Sequence, residues 1–204
     1  NYAHKNNIDD VYKGYYPEQV IEETKEDLAV LCQALKSFFN IKVRRMKPNK
    51  NHKTFKTQDW VSDGYYSFCP RDSVTVIGDT IIESPMTLRS RYFETLLREG
   101  LCLLNPERVN EDNMPEVLKS WDKIWCPPCE DIGYYGDFNH ASTWIGLNLL
   151  SIDENTVVLD KSQVKLQKLL KKHKIESVPL QIRHSRTLGG SFHCVTADMH
   201  RESK

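Results

Sequence analysis

From Pro17 onward apolar residues recur at a helical interval, at Ile21, Leu28, Leu31, Leu35 and Phe38, with Glu and Lys on the opposite face. A proline suits a first helical turn, so the pattern predicts a helix opening at Pro17 and stopping at Asn40. Ile41 to Arg45 then alternates like a short strand. Ser73 to Ile82 is two short apolar runs about Gly78-Asp79, which predicts a hairpin. Thr87 to Leu97, with Leu88, Tyr92 and Leu96 among several arginines, reads as a helix, and Gly100 to Leu104 as a buried strand.

The same alternation returns further on. Pro115 to Ser120 predicts a short helix and Lys123 to Cys126 a short strand. Trp144 to Ser151 is an apolar run, Asp153-Glu154-Asn155 turns the chain, and Val157 to Leu159 is a second run. Ser162 to Lys172 is amphipathic, with Val164, Leu166, Leu169 and Leu170 on one face, and Val178 to Ile182 closes as a strand. Strand, turn, strand, helix, strand thus occurs twice, over 73–104 and 144–182. That order predicts an α/β fold built from ββαβ repeats.

Composition narrows the function. A chain of 204 residues suits a single domain over 1–204 with a real core. Lys plus Arg equals Asp plus Glu, at 28 each, and this balance argues against a dedicated nucleic-acid or membrane-surface protein. Residues 42–56 do hold seven Lys or Arg around Phe55, but a solvated connecting loop has the same composition. No apolar run reaches the roughly 20 residues needed to span a bilayer. The N-terminus carries no signal-peptide pattern and no initiator methionine. Six scattered cysteines read as the reduced thiols of a cytoplasmic protein.

Two stretches carry candidate chemistry. Leu188-Gly189-Gly190-Ser191-Phe192-His193-Cys194 follows a flexible Gly-Gly turn with a His-Cys pair. Such a turn can deliver a thiol to a pocket floor, where nearby positive charge or a base makes it nucleophilic. Against this stands the common case, a buried cysteine that only packs. Cys126-Pro127-Pro128-Cys129 has redox or zinc spacing. It lacks a second ligand pair, however, and its second proline with Glu130-Asp131 reads as a turn. Packing is the expected role.

Four further segments and the Leu188–Cys194 stretch, taken in order, resemble the glycine amidinotransferase (arginine transamidinase) family. They are Tyr66-Ser67-Phe68-Cys69-Pro70-Arg71-Asp72; Ile82-Glu83-Ser84-Pro85-Met86 running into Arg89-Ser90-Arg91-Tyr92-Phe93-Glu94; Leu104-Asn105-Pro106-Glu107-Arg108; Ser142-Thr143-Trp144; and Leu188 to Cys194. The variants look closest to the branch serving guanidine-containing alkaloid toxins. The resemblance implies the pentein fold, a ring of ββαβ blades about a polar pocket, and a ping-pong reaction without cofactor. A cysteine takes the amidino group of L-arginine, releases ornithine, and passes the group to a primary-amine acceptor.

Carried onto this chain, the motif implies Cys194 as nucleophile and Asp72 as the carboxylate gripping the guanidinium, with Tyr66 on the same wall. Arg108 is implied to hold the substrate α-carboxylate. These residue types suit those tasks, since a carboxylate orients a planar cation and an arginine fork matches a carboxylate. Each has a plain alternative: Asp72 is also a turn acid, and Arg108 also a surface cation. Ser142 stands with Ala141 where glycine-using members carry two serines, so a different acceptor is expected.

One family feature is missing. The resemblance implies a general base in a His-x-Asp motif, yet none of the seven histidines is followed by x-Asp. Members of the family are also longer. An opening strand before Tyr2 is expected to be absent, and an internal segment is expected to be absent near Leu96-Leu97-Arg98. Two rival readings are a guanidine-modifying hydrolase of the same superfamily and an inactive arginine-binding protein. The expected partners are L-arginine and the amine, with neither nucleic acid nor membrane. A homodimer remains open.

Overall fold

The computed structural model describes residues 15–45, 55–56, 61–62, 68–72, 74–77, 80–83, 95–98 and 100–199. Helix α1 runs Glu18–Phe39 and buries Val20, Thr24, Asp27, Leu31, Ala34 and Leu35. These positions fall three and four apart, one stripe of the helix. Asn40 ends it in the left-handed region at φ 52°, a conformation that asparagine tolerates better than most residues. The strand expected over 41–45 does not form: this stretch is irregular, and Val43 packs against the core cluster that includes Leu31 and Leu35. Alternation alone makes no strand without a ladder partner.

Strands β1 (Phe55–Lys56) and β2 (Val61–Ser62) form a two-residue antiparallel pair. The predicted hairpin is present as β3 (Val74–Ile77) against β4 (Thr80–Glu83), in register from Val74 with Glu83 to Ile77 with Thr80. Most of the helix expected over 87–97 lies outside the described residues. Its last residues form strand β5 (Thr95–Arg98), antiparallel to β6 (Leu101–Leu104). Gly100, at φ +78°, takes the turn between them.

After α2 (Glu116–Lys119), strand β7 (Asp122–Trp125) lies parallel to β6. The second sheet copies this plan. Strand β8 (Leu150–Asp153) pairs antiparallel with β9 (Thr156–Asp160), α3 (Val164–Lys172) follows, and β10 (Glu176–Leu180) pairs parallel with β9. The ββαβ repeat is therefore real, but its first copy spans 95–125 rather than 73–104. Repeat order is legible in a pattern, whereas its register depends on which strands pair. Pro179 sits in β10, at the edge of its sheet, where a missing N–H costs least. Short α4 (Ser185–Leu188) follows.

The central strand of each sheet is buried on both faces, which explains the unbroken apolar runs at Leu101–Leu104 and Val157–Leu159. Leu101 and Leu103 enter one core cluster with Val157, Leu159, Leu166 and Leu170. Cys102 and Leu104 face Val109, Met114 and Leu118 instead. Val158 points the other way from Val157 and Leu159, toward Leu31, Leu35, Ile182 and Phe192. A nine-residue helix such as α3 is too short to persist alone. Burial of Leu166 and Leu170, worth about 1.5–3 kcal/mol each, holds it in place.

Helix α1 is fastened to the segment after β10 by charge as well. The backbone N–H of Arg183 donates to Asp27 at 2.7 Å, and its guanidinium reaches Asp27, Glu26 and the carbonyl of Glu23. His184 Nε2 lies 2.6 Å from Glu23. Hydrogen bonds from Gln19 and then from His184 hold the Glu23 carboxyl below its ordinary value. No helix among the described residues is long and apolar enough to cross a membrane.

Candidate active site

The segment carrying Cys194 begins where α4 stops. Gly189 adopts φ +73° and returns its N–H to Ser185, a left-handed cap that glycine makes without steric cost. Gly190 is needed for space. A Cβ there would lie 2.5 Å from the sulfur of Cys69 and 3.0 Å from Cβ of Cys194. The Gly-Gly pair thus serves one helix cap and one close packing of two thiol-bearing segments. Beyond it the chain coils tightly, with Val195 N–H on the carbonyl of Ser191 and Thr196 Oγ1 on that of Phe192.

Cys194 is fully buried, yet not in hydrocarbon. The side chain of Asn148, itself 3% exposed, meets it directly. Asn148 Oδ1 accepts the backbone N–H of Ser191 and of Cys194, both at 3.1 Å, and Nδ2 donates to Cys194 Sγ at 2.9 Å. The Asn148 carbonyl also accepts the N–H of His193 at 3.3 Å. Asn148 follows a 3-10 helix, Thr143–Leu147. The apolar run read over 144–151 is therefore two pieces, a 3-10 turn and strand β8, with a polar residue between them.

Three further fastenings surround this pair. The first ties the Asp72 turn, a 3-10 turn over Pro70–Asp72, to the Cys194 coil. Arg71 Nε donates to the carbonyls of His193 at 3.0 Å and Thr196 at 2.8 Å, and its head pairs with Asp198 at 3.3 Å. Arg71 thereby sets the backbone of Asp72 beside the Cys194 segment. The second joins the Arg108 turn to the 3-10 helix. Asn105 caps that turn through Glu107 N–H at 2.9 Å, and Trp144 Nε1 donates to Glu107 at 2.7 Å. Arg108 itself is exposed, its carbonyl held by Asn113 Nδ2 at 2.9 Å.

The third fastening is Arg186, a buried arginine of α4. It donates to the carbonyl of Ala141 at 2.9 Å, to Asp131 at 2.6 Å and to Asn139 at 2.9 Å, and stacks over Tyr134 at 4.8 Å. A hydrogen bond from Gly133 N–H, then the one from Arg186, lowers the Asp131 carboxyl below its usual value. Ala141 is the residue before Ser142, so α4 positions the approach to that exposed serine. Tyr66 lies outside the described residues.

The Cys126–Cys129 pair sits elsewhere, in packing. Cys126 is 2% exposed within the main core cluster, Cys129 packs against it, and the two thiols share a hydrogen bond. That hydrogen bond, followed by burial, drives the Cys126 thiol strongly upward. Among the described residues no group of three or more His, Cys, Asp and Glu side chains is arranged to hold a metal.

The Cys194 segment, the Asp72 turn, the Arg108 turn and Ser142 thus stand on four strips of chain fastened to one another. The chain is 32% identical to inosamine-phosphate amidinotransferase 1 of Streptomyces griseus, over 94% of this chain and 84% of the relative. The chain belongs to the amidinotransferase family. The solved structure of the inosamine-phosphate amidinotransferase of S. griseus superposes at a TM-score of 0.89, with 30% identity, over 99% of this chain and 87% of that one. An amidinotransferase of the saxitoxin pathway of Microseira wollei shares the fold at a TM-score of 0.80 and 22% identity, over 93% and 86% of the two chains.

An L-arginine:L-lysine amidinotransferase of Pseudomonas savastanoi pv. phaseolicola is 23% identical over 93% of this chain and 82% of its own length. No family model matches. The alignment with the S. griseus sequence runs over 293 positions against a chain of 204 residues, so part of that relative stands opposite no residue here. This amidinotransferase is a mixed α/β enzyme. Sequence reading passed over Asn148, Arg71 and Arg186. The signals for them were a polar residue inside an apolar run, an arginine within the Tyr66–Asp72 motif and another two residues before Leu188.

Proposed function

We propose that the enzyme moves the amidino group of L-arginine to a primary amine by way of an S-amidino intermediate on Cys194. The observation that supports it best is the buried Asn148–Cys194 contact beside the Arg71-clamped turn of Asp72. The sulfur of Cys194 attacks the guanidinium carbon, and the bond from that carbon to the ornithine nitrogen breaks. The thiol proton passes to that nitrogen, and ornithine leaves as an amine. The acceptor amine then attacks the same carbon, the carbon–sulfur bond breaks, and a proton from the amine returns to sulfur.

In this reading Asp72, with Tyr66, holds the guanidinium, Arg108 the α-carboxylate, and Ser142 lies on the acceptor side. A carboxylate opposite a guanidinium makes strong, orienting hydrogen bonds. The acceptor belongs to secondary metabolism, either an aminocyclitol phosphate, as the better sequence likeness suggests, or a precursor of a guanidino toxin. The same reading gives the intact protein residues additional to these 204, between about 96 and 98, where its His-x-Asp base resides. The 293-position alignment supports that view. The assembled enzyme works on small molecules in the cytoplasm, as a monomer or a homodimer.

The test is arginine with and without a panel of amines. Arginine alone is expected to add one amidino group to Cys194 by intact mass with release of one equivalent of ornithine, and ornithine beyond that equivalent is expected only with an acceptor. Cys194→Ser should abolish both while leaving arginine binding in place. Steady ornithine release in water without any amine would favour hydrolysis instead. Turnover by the serine variant would remove Cys194 from the chemistry.

A further inference from the structure

We infer that Asn148 is the residue that prepares Cys194 for attack, holding its sulfur in place and presenting an N–H donor to it. The inference rests on the proposed role of Cys194. The carboxamide has two unlike ends, and the structure shows which end faces which way. Two backbone N–H groups, of Ser191 and Cys194, converge on one end, which must therefore be the oxygen. The NH2 end is left to face Sγ at 2.9 Å. Sulfur as a thiol accepts hydrogen bonds weakly, as a thiolate strongly, so a donor aimed at it favours the anion.

The same side chain fixes the coil. It bridges Ser191 and Cys194 across their intervening turn, so the coil cannot unwind without breaking two bonds to a buried oxygen, and the sulfur cannot turn away without losing the Nδ2 donor. Its rigidity comes from below: Asn148 N–H is bonded to Ile145 within the 3-10 turn, and the neighbouring Leu147 and Leu149 are fully buried. Among the described residues, the charged or titratable neighbours of this pair include Cys69 across Gly190, His193 in the chain, and Arg71 with Asp198 against the coil. Arg71 directs its Nε to two carbonyls of the coil and its head to Asp198, while the neutral amide of Asn148 donates to the sulfur.

Asn148→Asp separates the two jobs. The aspartate keeps an oxygen for the two backbone donors and replaces the NH2 by an oxygen that repels a thiolate. The readout is the pH midpoint for alkylation of Cys194 by iodoacetamide, resolved by peptide mass spectrometry. We expect Asn148→Asp to melt near the wild-type temperature and to shift that midpoint upward by at least one pH unit. Its kcat should fall at least tenfold, while KM for arginine changes less than threefold. Asn148→Ala loses both jobs, and should show a lower melting temperature and a smaller upward shift.

A wild-type midpoint in either folded variant overturns the inference. So does a fall in kcat that tracks only lost stability. Absence of an arginine adduct on the wild-type protein would instead sink the proposed role of Cys194. The alkylation profile needs no arginine and would still decide the effect of Asn148 on the thiol.

Discussion

Arg108 is exposed while its backbone is held at both ends, by the carbonyl of Asn105 on its N–H and by Asn113 on its own carbonyl. A cation on a stiff turn loses little further freedom when it captures a carboxylate, which suits the role proposed for it. Arg108→Ala is expected to raise KM for arginine about tenfold to a hundredfold, the range for a lost hydrogen bond to a charged group, with kcat changed much less. Steady-state kinetics decide it, and an unchanged KM would remove Arg108 from the donor site. Arg108 was singled out from the motif around it. Asn148 was not, because its role depends on three atoms that sequence places 43 to 46 positions away.

Elements behave differently, since what they do depends on what they touch. Helix α1 was plain from its spacing, yet its attachment to the segment after β10 rests on Asp27, Glu23 and Glu26 meeting Arg183 and His184. The Glu23 carboxyl is held below its ordinary value of 4.5 in the fold. A carboxyl lowered by folding stabilises above its unfolded value and ceases to do so as pH falls through its folded one. Asp131, bonded by Gly133 and Arg186, acts in the same sense.

Melting temperature is therefore expected to fall as pH drops below about 4.5, with the α1 contact loosening. Glu23→Gln should flatten part of that dependence. Thermal melts at pH 7 and pH 4 measure it, and equal slopes for the two proteins would refute the contribution of Glu23. The last residues of the helix expected over 87–97, the part that falls among the described residues, teach the converse. Thr95 to Arg98 pairs with β6, and there a ladder partner outweighs the helical spacing of Leu88, Tyr92 and Leu96.

At the scale of the molecule, two ββαβ units share one core, and the central strand of each is covered on both sides. The intact mass of active purified protein is expected to exceed the 23.8 kDa of these 204 residues, because the proposed base must come from additional chain. An active protein of 23.8 kDa would refute that and require a base among the histidines present. By itself the sequence determined the α/β class, the repeat order and the family. Each of these is written in local spacing or in short motifs, and needs no knowledge of distant neighbours. Tertiary structure alone decided the register of the repeat, the break of the 144–151 run at Asn148, and the clamp of Arg71 on the Cys194 coil. Those follow from which buried polar groups find one another, and a buried amide or guanidinium must be satisfied by whatever the fold brings within reach.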